Sequence, residues 1–174
     1  MTGTLKDQLP DSSRAIADIA VGLVFDNPVL FKEMVGLCLS EEMPYAPRAA
    51  RVVSICSLEC PELFVPLRNK FISALKHLKN EGVIRSLLKI YVEIPLKLSE
   101  KEKSILLNLC FDYLVSETMH VAIKVYSMDI LFRLSAELPD IGFELYNILE
   151  NNISFGSSGY KSKARKIMKA LKNR

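Results

Sequence analysis

The stretch SLECPELF, residues 57–64, interrupts a run that otherwise reads as helix. Proline lacks a backbone N–H and its ring clashes with the carbonyl four residues back, so Pro61 breaks that run. The same punctuation recurs. An acidic residue, any residue and then proline stand at DNP (26–28), ECP (59–61), EIP (93–95) and ELP (137–139). These prolines are 33, 34 and 44 residues apart, and the extra residues of the last interval fall around KLSEKEKS (97–104).

The register before each proline repeats too. Eight positions upstream stand Ala20, Val53, Leu87 and Leu131, and five positions upstream stand Leu23, Cys56, Ile90 and Leu134. The two sets are three apart, so they share a helical face, and all eight side chains are apolar. Asp26, Glu59, Glu93 and Glu137 fall at another angle and are expected to face solvent.

After the proline a second helical pattern begins, because proline is tolerated at the first position of a helix. The third second helix is the exception. It is expected to start after Leu98, with Ser99 as N-cap and Glu102 closing a capping box. Pro66 is expected within the first turn or so of its helix, where a missing donor costs least. The spacing predicts helices over 12–25, 28–40, 47–59, 61–79, 82–94, 99–116, 118–137, 139–152 and 160–173. Helix pairs at this period stack on their neighbours, since one pair cannot bury its apolar face alone. The expectation is an all-α chain, a right-handed α-α superhelix of about four and a half antiparallel helix pairs, with residues 1–174 as a single domain.

Composition agrees with that class. The chain has 174 residues, 49% of them apolar and 25% charged, which is too apolar for disorder. Seven glycines are too few for an all-β chain built on tight turns. The most apolar stretch, IAVGLVF (19–25), is short and lies between Asp18 and Asp26, so no membrane span is expected. MTGTLKDQLPDSS lacks the basic-then-apolar order of a signal peptide, and the expected location is the cytoplasm.

The units RAARVVSICSLECPELFVPLRNKFISAL (48–75) and VAIKVYSMDILFRLSAELPDIGFELYNIL (121–149) resemble HEAT repeats. The resemblance lies in the Ala/Val pattern of the first helix, the basic residues near its start, the acid before the corner and the proline. It spans the chain from about residue 12 onward and is similar in style to small bacterial HEAT-like proteins. It implies a curved helical rod used as a non-enzymatic scaffold that meets a protein partner, and fold alone fixes no activity. The bacterial alkylpurine DNA glycosylases are a HEAT-like family that does catalyse a reaction, with DNA on the concave face and aromatic residues, Trp included, at the lesion. This chain has no Trp and no motif match to those enzymes, so no catalytic residue carries across.

Catalytic signatures are missing as well: no phosphate-binding Gly-rich loop ending in Lys-Ser/Thr, no GxSxG and no HExxH. His77 reads as an end-of-helix residue and His120 as part of a first turn. Cys38, Cys56, Cys60 and Cys110 read as small core side chains, with too few further ligands for zinc. Glu41/Glu42 and Glu100/Glu102 read as solvated charge runs, and Phe31, Phe64, Phe71, Phe111, Phe132 and Phe143 as core. No cofactor and no metal are expected.

Charge is unevenly spread. Residues 1–46 carry three basic and seven acidic side chains, whereas residues 156–174 carry seven basic and no acidic ones. The basic end, GSSGYKSKARKIMKALKNR, places Ala164, Ile167, Met168 and Leu171 at helical spacing towards the core. Lys161, Lys163, Arg165, Lys166, Lys169, Lys172 and Arg174 surround its other faces. Three readings are open: a solubilising last helix, an anion site, or head-to-tail contact with the acidic end of a second copy. As an anion site, the residues are Lys161, Lys163, Arg165 and Lys166 beside the helix N-terminus after FGSSGY. Nucleic acid would bind there through its phosphates, making a nucleic-acid-binding HEAT-like protein the alternative to the scaffold.

Overall fold

The computed structural model describes residues 4–173, so Arg174 lies outside the described residues. Among them every regular element is helical. The chain packs as two compact units, one running to Ile94 and the other from Pro95.

The first unit holds α1 (Arg14–Val24), α2 (Pro28–Cys38), α3 (Tyr45–Glu59), α4 (Pro61–Phe64), α5 (Arg68–Leu75) and α6 (Glu81–Glu93). Short 3-10 turns stand at Leu5–Gln8 and Val65–Leu67. The corners form as their chemistry dictates. Pro28 and Pro61 occupy the opening positions of α2 and α4, where no intrahelical donor is needed. Asn27 caps α2 by accepting the Leu30 N–H at 3.1 Å.

Helix α3 is the centre of this unit and packs against α1, α2, α4 and α6. Its buried residues are nearly all small: Ala46, Ala49, Ala50, Val52, Val53, Ser54, Cys56 and Ser57. Small side chains let several helices approach one axis without leaving voids. Larger residues fill the space beyond. Phe64 stacks on Phe71 with centroids 5.7 Å apart and meets Tyr91 edge-on at 5.2 Å. The Tyr91 hydroxyl donates to the Arg68 carbonyl at 2.7 Å, which lets a tyrosine be buried at no loss of its hydrogen bond.

The second unit holds α7 (Glu100–Val115), α8 (Val121–Leu134), α9 (Pro139–Asn152) and α10 (Ser158–Lys172). Here α8 packs against α7, α9 and α10, and α10 also packs against α9. The capping box at Ser99 forms: the Ser99 N–H and hydroxyl both donate to Glu102 Oε2 at 2.7 Å, and the Glu102 N–H donates back to Ser99 Oγ at 3.4 Å. Pro139 opens α9 as Pro28 opens α2.

Seven of the eight repeated apolar positions are buried, and all four corner acids are exposed. Leu23 departs from the pattern at 45% exposure, because α1 turns Ala17, Ala20, Val21 and Val24 inward instead. Pro66 does more than expected. It sits in the 3-10 turn that splits the predicted 61–79 helix into α4 and α5. Glu102 is buried rather than solvated, since the capping box folds its carboxylate back onto Ser99.

Candidate functional site

The surface of α9 and α10 departs most from a plain helical exterior. Helix α9 turns Ile141, Leu145 and Leu149 inward. Phe143 lies about 200° round the helix from Ile141 and is therefore thrown outward, at 72% exposure. The expectation that Phe143 belongs to the core fails for this reason. Phe111 and Phe132 are half-buried, while Phe31, Phe64 and Phe71 are core.

Beside Phe143 runs a groove of about 690 Å³ lined by Pro139, Gly142, Phe143, Tyr146, Leu171 and Lys172. Gly142 sets its floor. A Cβ there would lie 3.3 Å from Leu171 Cδ2, so the glycine lets α10 lie close against α9. The Lys172 ammonium stands 5.2 Å from the Tyr146 ring centroid, a cation–π distance, and its pKa is raised by the hydrogen bond to Tyr146. A second hollow of about 300 Å³ continues past Tyr146 among Arg165, Met168, Lys169 and Lys172. The site can hold an apolar side chain in the groove and an acidic group at its basic edge.

The four residues expected to bind an anion are not gathered into one cluster. Lys163 is drawn to α8, where its Nζ meets Asp129 Oδ1 at 2.6 Å. Lys161 is half-buried, and Arg165, four residues on, lies on the same face of α10. Lys166 is exposed at another angle. At the helix start Ser157 Oγ already accepts the Tyr160 N–H at 3.4 Å. Sequence reasoning left out Tyr146 and named Lys172 only as one of the basic residues of the last helix. The helical angle of Phe143 relative to Ile141 and Leu145 was the signal available for this face.

His120 is the N-cap of α8 rather than a first-turn residue, and its Nδ1 accepts the Ala122 N–H at 3.2 Å. His77 is exposed just beyond α5. Burial pushes the thiols of Cys38, Cys56 and Cys110 up to about 12, far from thiolate chemistry at neutral pH. Cys60, half-buried at the end of α3, donates to Glu62 Oε2 at 3.3 Å. Among the described residues no group of three or more His, Cys, Asp or Glu is placed to hold a metal ion, and no helix is long and apolar enough to cross a membrane.

The profile of the HEAT repeat domain matches residues 4–171. The chain belongs to the HEAT repeat family. No curated protein and no solved structure matches it. As a HEAT chain it carries proline corners that open α2, α4 and α9, and its groove lies on the helix after the last of these corners. HEAT repeats are generally non-catalytic and work as helical interaction modules, which agrees with a surface of apolar groove and basic rim.

Proposed function

We propose that this HEAT chain is a non-enzymatic scaffold whose α9–α10 surface docks a protein partner. The observation that carries the reading is Phe143, a large aromatic at 72% exposure beside a groove of about 690 Å³. Exposed aromatics next to a pocket are the anchors that dominate protein interfaces. Lys172 at the rim favours a partner that places a carboxylate next to its apolar anchor. The proposal treats residues 1–174 as one domain, a right-handed superhelix acting in the cytoplasm, and small-angle scattering with cell fractionation checks those parts. The test of the interaction is affinity capture with the parent chain and with Phe143→Asp, followed by titration of the captured partner. Loss of the partner on Phe143→Asp is expected. Equal capture by both chains sinks the assignment of this face.

Nucleic acid is the second reading, favoured by the hollow in which Arg165, Lys169 and Lys172 stand beside Tyr146. Phosphate contacts would make such binding salt-dependent, so anisotropy with labelled oligonucleotides at about 50 and 200 mM salt decides it. Binding that is strong at the lower salt and lost on neutralising Arg165, Lys169 and Lys172 supports it. No binding at the lower salt removes it.

A further inference from the structure

We propose that the pocket where α1, α3 and α6 converge is an oxyanion site that takes a phosphate group. The pocket measures about 280 Å³ and is lined by Arg48 and Arg51 of α3 and Arg85 of α6, with Asp11, Ser13 and Ser86 beside them. It belongs wholly to the first unit and owes nothing to the α9–α10 groove.

Its assembly follows from the sequence. Arg48 and Arg51 are three apart and so lie along one side of α3. Arg85 comes to them because Gly82 lets the start of α6 lie against the start of α3. A Cβ at Gly82 would stand 3.0 Å from Pro47 Cβ, tighter than ordinary packing allows. Any larger residue would push the two helix ends, and the arginines they carry, apart.

The guanidinium groups are held but not neutralised. Arg48 donates through one nitrogen, at 2.7 Å, to both the Leu9 and Pro10 carbonyls, and Arg51 donates through one nitrogen to the Ser12 carbonyl at 2.7 Å. These acceptors are neutral, and each guanidinium carries five N–H donors, so most remain for a ligand. Arg85 is exposed, and its guanidinium makes no hydrogen bond among the described residues. None of the three makes an ion pair with a carboxylate among those residues. Three like charges around one small pocket repel one another, and the fold gains nothing evident from placing Arg85 there.

The charge selects the ligand. Among the described residues Asp11 is the only carboxylate lining the pocket, and its pKa is lowered chiefly by hydrogen bonds from Ser13. Three arginines against one aspartate leave two positive charges, which match a phosphate monoester dianion better than a single carboxylate. Guanidinium forks also match the spacing of phosphate oxygens. A pocket of this volume holds one terminal phosphate.

The test uses the full chain with inorganic phosphate as probe, read by thermal shift and calorimetry against chloride at equal ionic strength. Phosphate is expected to raise the melting temperature and to bind at one site. Arg85→Gln is expected to weaken phosphate binding at least about tenfold, the worth of a charge-assisted hydrogen bond, while leaving the unliganded melting temperature unchanged or slightly raised, since one of three repelling charges is gone. Asp11→Asn is expected to tighten binding, because it removes a repelling charge while keeping an acceptor for the Ser13 N–H. A phosphoserine peptide and a sugar phosphate, offered separately, tell whether the group arrives on a protein chain or on a small molecule. Preference for either keeps the site. Absence of binding by all three probes, or binding untouched by Arg85→Gln, overturns it.

Discussion

Lys163 of α10 and Asp129 of α8 form an ion pair, Nζ to Oδ1 at 2.6 Å, with both side chains largely withdrawn from water. Burial lowers the pKa of Arg133, and the Asp129 carboxylate offsets part of that, so it acts on two cations. Pairs of this kind contribute up to about 1 kcal/mol. Asp129→Asn and Lys163→Met, with the double variant, should give a coupling energy of about 0.5–1 kcal/mol in a denaturation cycle. A coupling near zero would show that the pair does not fasten α10 to α8.

The capping box at the start of α7 should be worth a measurable part of the stability. Ser99→Ala removes both the acceptor for the Glu102 N–H and the hydroxyl donor to Glu102 Oε2. A loss of about 1 kcal/mol is expected, against only a few tenths for Ser99→Gly. If urea titration puts the two variants in the reverse order, the box is not what sets the α7 start.

Glycine positions give an internal contrast. Nothing lies within 4 Å of a Cβ added at Gly22 or Gly36, both inside exposed stretches of helix. Alanine at either should stabilise by about 0.5–1 kcal/mol through lower chain entropy. At Gly156 the added Cβ would overlap the Tyr160 ring, reaching 2.9 Å from its Cγ. Gly156→Ala should therefore cost about 1–3 kcal/mol, since the ring is buried and has little room to yield. Thermal melts of the three variants check the signs.

The cysteines predict both reactivity and alkaline behaviour. A thiol reagent at pH 8 should label one thiol per folded chain, Cys60, and all four in denaturant. Cys38, Cys56 and Cys110 have folded pKa values raised by burial from 9.0 to about 12. Between those values the unfolded chain has lost protons that the folded chain keeps. Their contribution to stability is thus complete below about pH 9 and is lost as pH rises towards 12. Replacing Cys110 by Ala should flatten that alkaline decline by up to about 1.4 kcal/mol per pH unit. An unchanged slope would contradict the burial of this thiol.

What could be read from the chain is what depends on neighbours in sequence. Proline lacks its N–H wherever it stands, so the corners at Pro28, Pro61 and Pro139 were legible. So was the Ser99–Glu102 box, which needs only three residues of helix. What escaped depends on neighbours in space. Leu23 is an apolar residue at helical spacing, and only the placement of adjacent helices decides that it faces outward. Lys163 reads as one more surface cation until Asp129, 34 residues earlier, comes into reach. The meeting of Arg48, Arg51 and Arg85 likewise depends on how closely Gly82 lets α6 approach α3.

Pro66, in the turn between α4 and α5, has a consequence for motion as well as for shape. A helix of four residues such as α4 is too short to hold itself, because the cost of nucleation is never recovered over so few bonds. Its order is lent by Phe64, wedged between Phe71 and Tyr91. Loosening of that aromatic cluster and exposure of the α4 amides to solvent are therefore one event. Their hydrogens should exchange on the timescale of ring release, well before those of α3. Tyr91, on a helix that begins twenty residues later in the chain than α4, thus sets the clock for a segment it never touches through the backbone.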